Sequence, residues 1–229
     1  MCSVNILGIE TSSAVCSVGL VNEQGWSVER NIIDPHIHSE KLLTLVEELL
    51  QTAGFKPGNL DAVAVSIGPG SFTGLRIGLS SAKGMCYALN KKLIPVSTFD
   101  AMVWAVQESG TAFTTINIAI DAKQGEFYFG SINRIDHQDL ASMSVRTRRL
   151  DELPWPTLLS NSSLWITDRP EVIRTYGVPP ELVLDHAQFC RGDVVSRLGI
   201  GKYAKNEFAD LDSIVPLYLK EFVVRTAIR

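Results

Sequence analysis

Ala62-Val63-Ala64-Val65-Ser66-Ile67, then Gly68-Pro69-Gly70-Ser71-Phe72, then Thr73-Gly74-Leu75-Arg76-Ile77-Gly78 place an apolar run, a glycine-rich loop and a helical pattern in direct succession. A short unbroken apolar run reads as a strand covered on both faces, as in parallel sheets flanked by helices. Glycine and proline stop it. The helical pattern then runs from about Thr73 to Asn90, and Lys92 to Val96 reads as the next strand. Strand, loop, helix, strand is the repeating unit of an α/β sheet.

Upstream, residues 4–9 and Cys16–Val21 read as strands, Asn22-Glu23-Gln24-Gly25 as a turn, and Trp26 to Ile33 as a third strand. Ser39 is placed to N-cap a helix, with Glu40 in the first turn, where the helix dipole favours an acid. Leu42, Val46, Leu49 and Ala53 follow at helical spacing until Gly54 stops the helix. Downstream, Ile116 to Ala122 and Phe127 to Ile132 read as strands joined by Lys123-Gln124-Gly125-Glu126. Prolines 154, 156, 170, 179 and 180 break the pattern between 136 and 190. Val194 to Ala209 then reads as a helix and Ile214 to Leu219 as an extended tail. The expected fold is α/β, with mixed sheets flanked by helices.

Shifting the chain by 111 residues without gaps lays Leu7 on Ile118, Ile9 on Ile120, Glu10 on Asp121, Val18 on Phe129, Gly19 on Gly130 and Val21 on Ile132. Each copy is a strand ending in an acid, a turn and a return strand. The reading is two related halves, residues 1–98 and 99–229, with the last helix (about 194–209) available to pack back on the first. Two hairpin carboxylates facing across a cleft could hold a hydrated Mg²⁺ beside phosphates; each could equally be an acid that satisfies turn amides.

The 229 residues are 45% hydrophobic and 20% charged, with a net charge of −4. That composition supports a packed core and argues against disorder. A chain that holds nucleic acid alone usually carries a basic face. The basic cluster here is Arg146, Arg148 and Arg149, which a solvated strand edge explains as well. No apolar stretch reaches the ~18–20 residues of a membrane span, and the first residues lack a basic n-region, so a cytoplasmic protein with no membrane contact is expected. Cys2, Cys16, Cys86 and Cys190 are scattered, as suits reduced thiols.

Chemistry-bearing residues are few. The Gly68–Gly74 loop precedes a helix whose N-terminus attracts anions, so Gly70, Ser71, Thr73 and Arg76, with Glu10, are candidate nucleotide or phosphate contacts. A rigid strand-to-helix turn is the competing reading, since no Walker Lys-Ser/Thr follows. Gly74, Gly78, Ala82 and Cys86 recur every four residues. Glycine inside a helix costs about 1 kcal/mol relative to alanine, so another backbone must approach, either the chain's own sheet or a partner helix. No G-x-S-x-G elbow occurs, and His36, His38, His137 and His186 lack chelating spacing on a helix.

Read together, these stretches resemble the TsaB (YeaZ) family. Ile6-Leu7-Gly8-Ile9-Glu10-Thr11-Ser12 is similar to its I-L-A-I-D-T-S opening and His38-Ser39-Glu40-Lys41-Leu42-Leu43 to its H-S-E-x-L-L. Gly68 to Gly78 matches G-P-G-S-F-T-G-L-R-I-G residue for residue. Asp121-Ala122, Glu126-Phe127-Tyr128 and Pro216-Leu217-Tyr218-Leu219 resemble later family motifs. Glu10 stands where the family usually has Asp. The resemblance implies an actin-like ATPase fold of two α/β lobes. It also implies a non-catalytic role beside TsaD, a direct heterodimer partner, with TsaE joining, in forming N6-threonylcarbamoyladenosine (t6A) in tRNA. TsaD would transfer the threonylcarbamoyl group from threonylcarbamoyl-AMP. The metal-binding H-x-x-x-H of TsaD falls on Thr98 and Met102. The partner seam would comprise Ser39, Leu42, Leu43, Val46, Gly74, Gly78 and Ala82. No tightly bound cofactor is implied for the chain alone, although ATP or ADP could enter the assembled complex. tRNA would be reached through the complex, and the chain alone could homodimerise. The competing classes are a stand-alone actin-like ATPase or kinase and a metallopeptidase-like protein.

Overall fold

A computed structural model describes residues 3–34, 37–110, 113–133, 143–159 and 163–219; Cys2, His36 and His137 lie outside them. Two five-stranded mixed sheets form. The first contains β1 (Asn5–Glu10), β2 (Val15–Asn22), β3 (Ser27–Ile33), β4 (Ala62–Ser66) and β5 (Lys92–Val96), in the order β3-β2-β1-β4-β5. β1, β2 and β3 pair antiparallel with one another; β4 and β5 are parallel to β1. The second contains β6 (Thr115–Asp121), β7 (Glu126–Asn133), β8 (Arg146–Arg149), β9 (Ser163–Thr167) and β10 (Val183–Asp185), in the order β8-β7-β6-β9-β10. The same order and the same strand directions recur. This is the two-lobed actin-like arrangement that the resemblance implies.

Apolar residues sort the molecule into layers. On the outer face of the first sheet Leu7, Ile9, Val63 and Val65 pack against α1 (His38–Thr52) and α2 (Phe72–Leu89). Its inner face presents Ile6, Ala62, Ala64 and Ile94. These share one core with Ile116, Ile118 and Ile120 of the second sheet, through α3 (Thr98–Glu108) and α6 (Gly192–Ala204). The second sheet's outer face buries Ala119, Phe127 and Trp165 beneath α4 (Trp155–Leu158) and α5 (Pro170–Arg174).

α6 follows the second sheet in the chain but docks on the first. Ser196 Oγ donates to the Gly19 carbonyl (2.8 Å), and Gly192 N–H donates to Ser17 Oγ (2.8 Å). A Cβ on Gly192 would lie 2.6 Å from the Val18 and Gly19 backbone, so only glycine fits at that crossing.

Several local expectations change. α1 begins at His38 with Ile37 at its N-cap position and no side-chain cap, so Ser39 is an exposed first-turn residue. α6 ends at Ala204, and Ala209 instead bridges to Leu93. α3 and the short strands β8, β9 and β10 have no counterpart in the sequence reading. The repeat slips by one residue: Glu10 pairs with Ser17 but Asp121 with Phe127, where a strict 111 shift demands residue 128. One residue of slip reverses a side chain's face. Gly19 and Gly130 still both face inward, but Glu10 shares its face with inward Ile6 and Asp121 with outward Ala119.

Candidate functional site

The glycine-rich loop closes over the tip of the β1–β2 hairpin. Ser71 N–H donates to the Ser12 carbonyl (2.7 Å), and a Cβ on Gly70 would overlap that same carbonyl. Ser71 Oγ caps α2 by accepting from Gly74 N–H (3.2 Å). Thr11 Oγ1 donates to the Gly74 carbonyl (2.8 Å), while Cβ atoms on Gly74 and Gly78 would collide with Thr11. The small-residue stripe of α2 therefore seats the chain's own hairpin. This corrects the assignment of Gly74, Gly78 and Ala82 to a partner seam: all three are buried inside the first lobe.

Glu10 lies beneath this closure, 1% exposed. One carboxylate oxygen accepts from Ser12 N–H (2.6 Å) and the other from Ser66 Oγ. Burial raises its pKa; the hydrogen bonds from Ser12 and Ser66 pull the other way and lose. A carboxyl so enclosed cannot reach a phosphate-bound cation, which corrects its place among the nucleotide contacts. Gly70 and Ser71 are likewise spent on the hairpin. Thr73 and Arg76 stay exposed. The Arg76 guanidinium lies 3.8 Å from the Phe72 ring centroid, and its Nε donates to the Tyr218 hydroxyl (2.9 Å). The loop thus acts as a rigid strand-to-helix turn bound down by the C-terminal segment, whose Leu217 N–H donates to the Ile67 carbonyl (2.7 Å).

The second hairpin is open. Asp121 accepts from Lys123 Nζ (3.0 Å) and faces Arg169 (3.3 Å). Its pKa is lowered: burial acts to raise it, but hydrogen bonds and charge from Lys123 and Arg169 prevail. Its N–H donates to Asp168 (2.9 Å), whose own pKa is raised by burial. The charge of His186 acts to lower the pKa of both Glu10 and Asp168. Neither His186 nor Asp168 carries a motif that marks it in the sequence. The two hairpin acids do not oppose each other as a cation clamp, because the slip in β6 turns Asp121 outward.

Thr98 and Met102 occupy the first turns of α3 at 1% and 2% exposure, in the core between the sheets. His38 is buried, with Nε2 at 3.2 Å from the Val15 carbonyl. Cys16, Cys86 and Cys190 are buried and unbridged. Arg146, Arg148 and Arg149 form the exposed edge strand β8. Among the described residues no helix is long and apolar enough to cross a membrane. On the outer helices Ser39 and Leu43 are exposed, while Leu42 and Val46 belong to the core beneath.

The chain resembles known proteins along most of its length. The tRNA threonylcarbamoyladenosine biosynthesis protein TsaB of Haemophilus influenzae is 34% identical over 134 residues, 58% of this chain and 56% of that protein. The chain therefore spans little more than half the length of the curated relatives it matches. Among solved structures, YeaZ from Pseudomonas aeruginosa superposes with a TM-score of 0.76 at 25% identity, over 94% of this chain and all of that one. A second structure, a protein with similarity to peptidase YeaZ from Pseudomonas aeruginosa, gives 0.78 at 26% identity over 96% of this chain. The chain is thus similar to TsaB and YeaZ; the family model described as TsaD: tRNA N6-adenosine threonylcarbamoyltransferase matches residues 34–213, and the chain belongs to that family.

Proposed function

We propose that this chain is the non-catalytic partner subunit in formation of N6-threonylcarbamoyladenosine in tRNA, pairing directly with TsaD while TsaE joins the assembly. The carrying observation is the burial of Thr98 and Met102. At the positions that the resemblance assigns to the catalytic relative's metal-binding histidines, this chain has a hydroxyl and a thioether sealed in a core. Neither replaces an imidazole. The enclosure of Glu10 supports the same reading, and it weighs against a self-standing kinase, whose hairpin acid must reach a nucleotide-bound cation.

A partner subunit needs a face. Exposed Leu43 on α1, Phe72 and Tyr87 on α2, and Val215, Leu217 and Tyr218 on the adjoining C-terminal segment leave large apolar side chains in water. Grouped exposed hydrophobics of this kind mark contact surfaces. The seam then consists of Ser39 and Leu43, with Leu42 and Val46 supporting it from below, and excludes the glycine stripe. In this reading tRNA is reached through the complex, the protein is cytoplasmic, no nucleotide is tightly held by the chain alone, and the same face accounts for homodimers when TsaD is missing. A reconstituted reaction with threonylcarbamoyl-AMP, tRNA and TsaD tests it. Product should require both chains; product without TsaD, or full TsaD activity without this chain, overturns the proposal.

A further inference from the structure

The outer side of the second lobe carries a cleft of about 470 Å³ that plays no part in the reading above. Asp121 forms its floor, Lys123, Arg149 and Arg169 its rim, and Tyr176 one wall. We propose that this cleft binds the phosphate and base of a nucleotide. A volume in this range suits a small organic ligand.

The rim charges favour an anion. Lys123 and Arg169 converge on the single carboxylate of Asp121 (3.0 and 3.3 Å), and Arg149 pairs with Asp151 (3.2 Å). Glu171 reaches Arg169 only at 3.6 Å, from outside the cleft lining. Three cations thus face two carboxylates inside the cleft. Lys123 is 80% exposed, and both members of the Arg149–Asp151 pair are more than half exposed. The Arg149–Asp151 pair, exposed on both sides, exchanges partners at little cost, whereas Asp121, 9% exposed, holds Lys123 and Arg169 beside the floor. A guanidinium fork matches phosphate oxygens in pairs. The floor turn adds backbone donors: Lys123, Gln124 and Gly125 all have left-handed φ (65°, 60° and 78°). The Lys123 N–H is taken by Asp121 (2.7 Å), so the amides of Gln124 and Gly125 are the ones offered, and successive amides in such turns form anion-binding hollows. The wall suits a flat ring. Tyr176 is held face to face on Trp155 (4.2 Å between centroids, 8° between planes), and Trp155 in turn on buried Trp165.

The nucleotide could be free or part of an RNA chain, and titration of the isolated full-length chain separates the two. The probes are AMP, adenosine and a short single-stranded oligoribonucleotide, with binding read by calorimetry and by backbone amide shifts of Gln124 and Gly125. AMP is expected to saturate the site weakly and reversibly, in keeping with no nucleotide being tightly held by the chain alone, with adenosine at least tenfold weaker. R149A combined with R169A should weaken AMP at least tenfold. K123E, which reverses an exposed charge but also sets a second carboxylate beside Asp121, should do so too; thermal melts of both variants show that the chain is folded when binding is lost. An oligoribonucleotide that competes with AMP assigns the site to RNA; one that does not assigns it to free nucleotide; either keeps the proposal. It is overturned if neither AMP nor the oligoribonucleotide saturates, if adenosine matches AMP, or if K123E binds AMP as the parent does. The titration needs no TsaD, so its failure leaves the partner-subunit reading intact.

Discussion

A carboxyl buried beneath Ser12 and Ser66 holds its proton more tightly than one in water, and Glu10 makes that cost visible as pH dependence. Its folded pKa stands above its ordinary value near 4.5, so the folded chain binds this proton more strongly than the unfolded chain does. Stability from this residue is fully present below about pH 4.5 and is lost as pH rises through the raised folded value. Each pH unit of elevation is worth about 1.4 kcal/mol. Glu10→Gln mimics the protonated form: its carbonyl can accept from Ser12 N–H and its amide can donate to Ser66. The difference in melting temperature between this variant and the parent should therefore shift in the variant's favour between pH 5 and pH 8. A constant difference, or one that shifts the other way, would refute the account. Glu10→Ala strips both partners and should cost about 1–3 kcal/mol through the groups left unpaired.

Within α2, three glycines of one helix have three different surroundings. Gly74 meets a backbone carbonyl of Thr11, Gly78 meets the Thr11 hydroxyl, and Gly84 has open space. Gly84→Ala should stabilise the chain by up to about 1 kcal/mol, the ordinary helix gain. Gly74→Ala should instead destabilise it, since a backbone carbonyl cannot retreat as a side chain can. Gly78→Leu should destabilise the isolated chain by about 3 kcal/mol, roughly 6–12 °C at this chain length. Thermal melts of the three variants check the order; a Gly78→Leu chain as stable as the parent would put the stripe back on a partner. The stripe's existence was legible in the spacing, but the side it serves was not, because a small residue announces a close approach and not the identity of what approaches. The strands and helices of the first lobe were legible for a related reason: each has one buried and one wet face or a clean apolar run. α3 was not. Residues Ala101 to Val106 form an unbroken apolar run within it, which in a short window cannot be told from a buried strand. α4 and α5 have only 4 and 5 residues, too few to establish one. At the hairpins the acids Glu10 and Asp121 were visible as strand ends, but a gapless comparison could not reveal a one-residue slip, and that slip decides which face each acid serves.

Between the two sheets the chain is interlocked by exchange of position: α6 leaves the second sheet and completes the inner face of the first. Ile6, Ala62, Ala64 and Ile94 would be bare without Val194, Val195 and the rest of that core. A helix joins a lobe by contact and not by chain order, so the pattern in residues 194–209 showed an apolar helix without showing where it docks. The consequence is cooperative. Neither sheet has its inner core satisfied alone, so the whole chain should unfold in one transition despite its two lobes. Gly192→Ala tests this where the seam is tightest. Its added Cβ would stand 2.6 Å from backbone atoms of Val18 and Gly19, which are held within a strand ladder paired on both sides. The helix must move, and with it the hydrogen bonds from Gly192 to Ser17 and from Ser196 to Gly19. Overpacking of this kind costs about 1–3 kcal/mol, roughly 2–12 °C in melting temperature for a chain of this length. In a background where Trp26 and Trp104 are replaced by Phe, the fluorescence of Trp155 and Trp165, stacked in the second lobe, reports whether that lobe feels it. If the lobes share one core, tryptophan fluorescence and far-UV circular dichroism should shift together to the same lower midpoint. A tryptophan transition that stays at the parent's temperature while the dichroism splits in two would mean that the second lobe stands alone, and the shared core would not be what holds this molecule together.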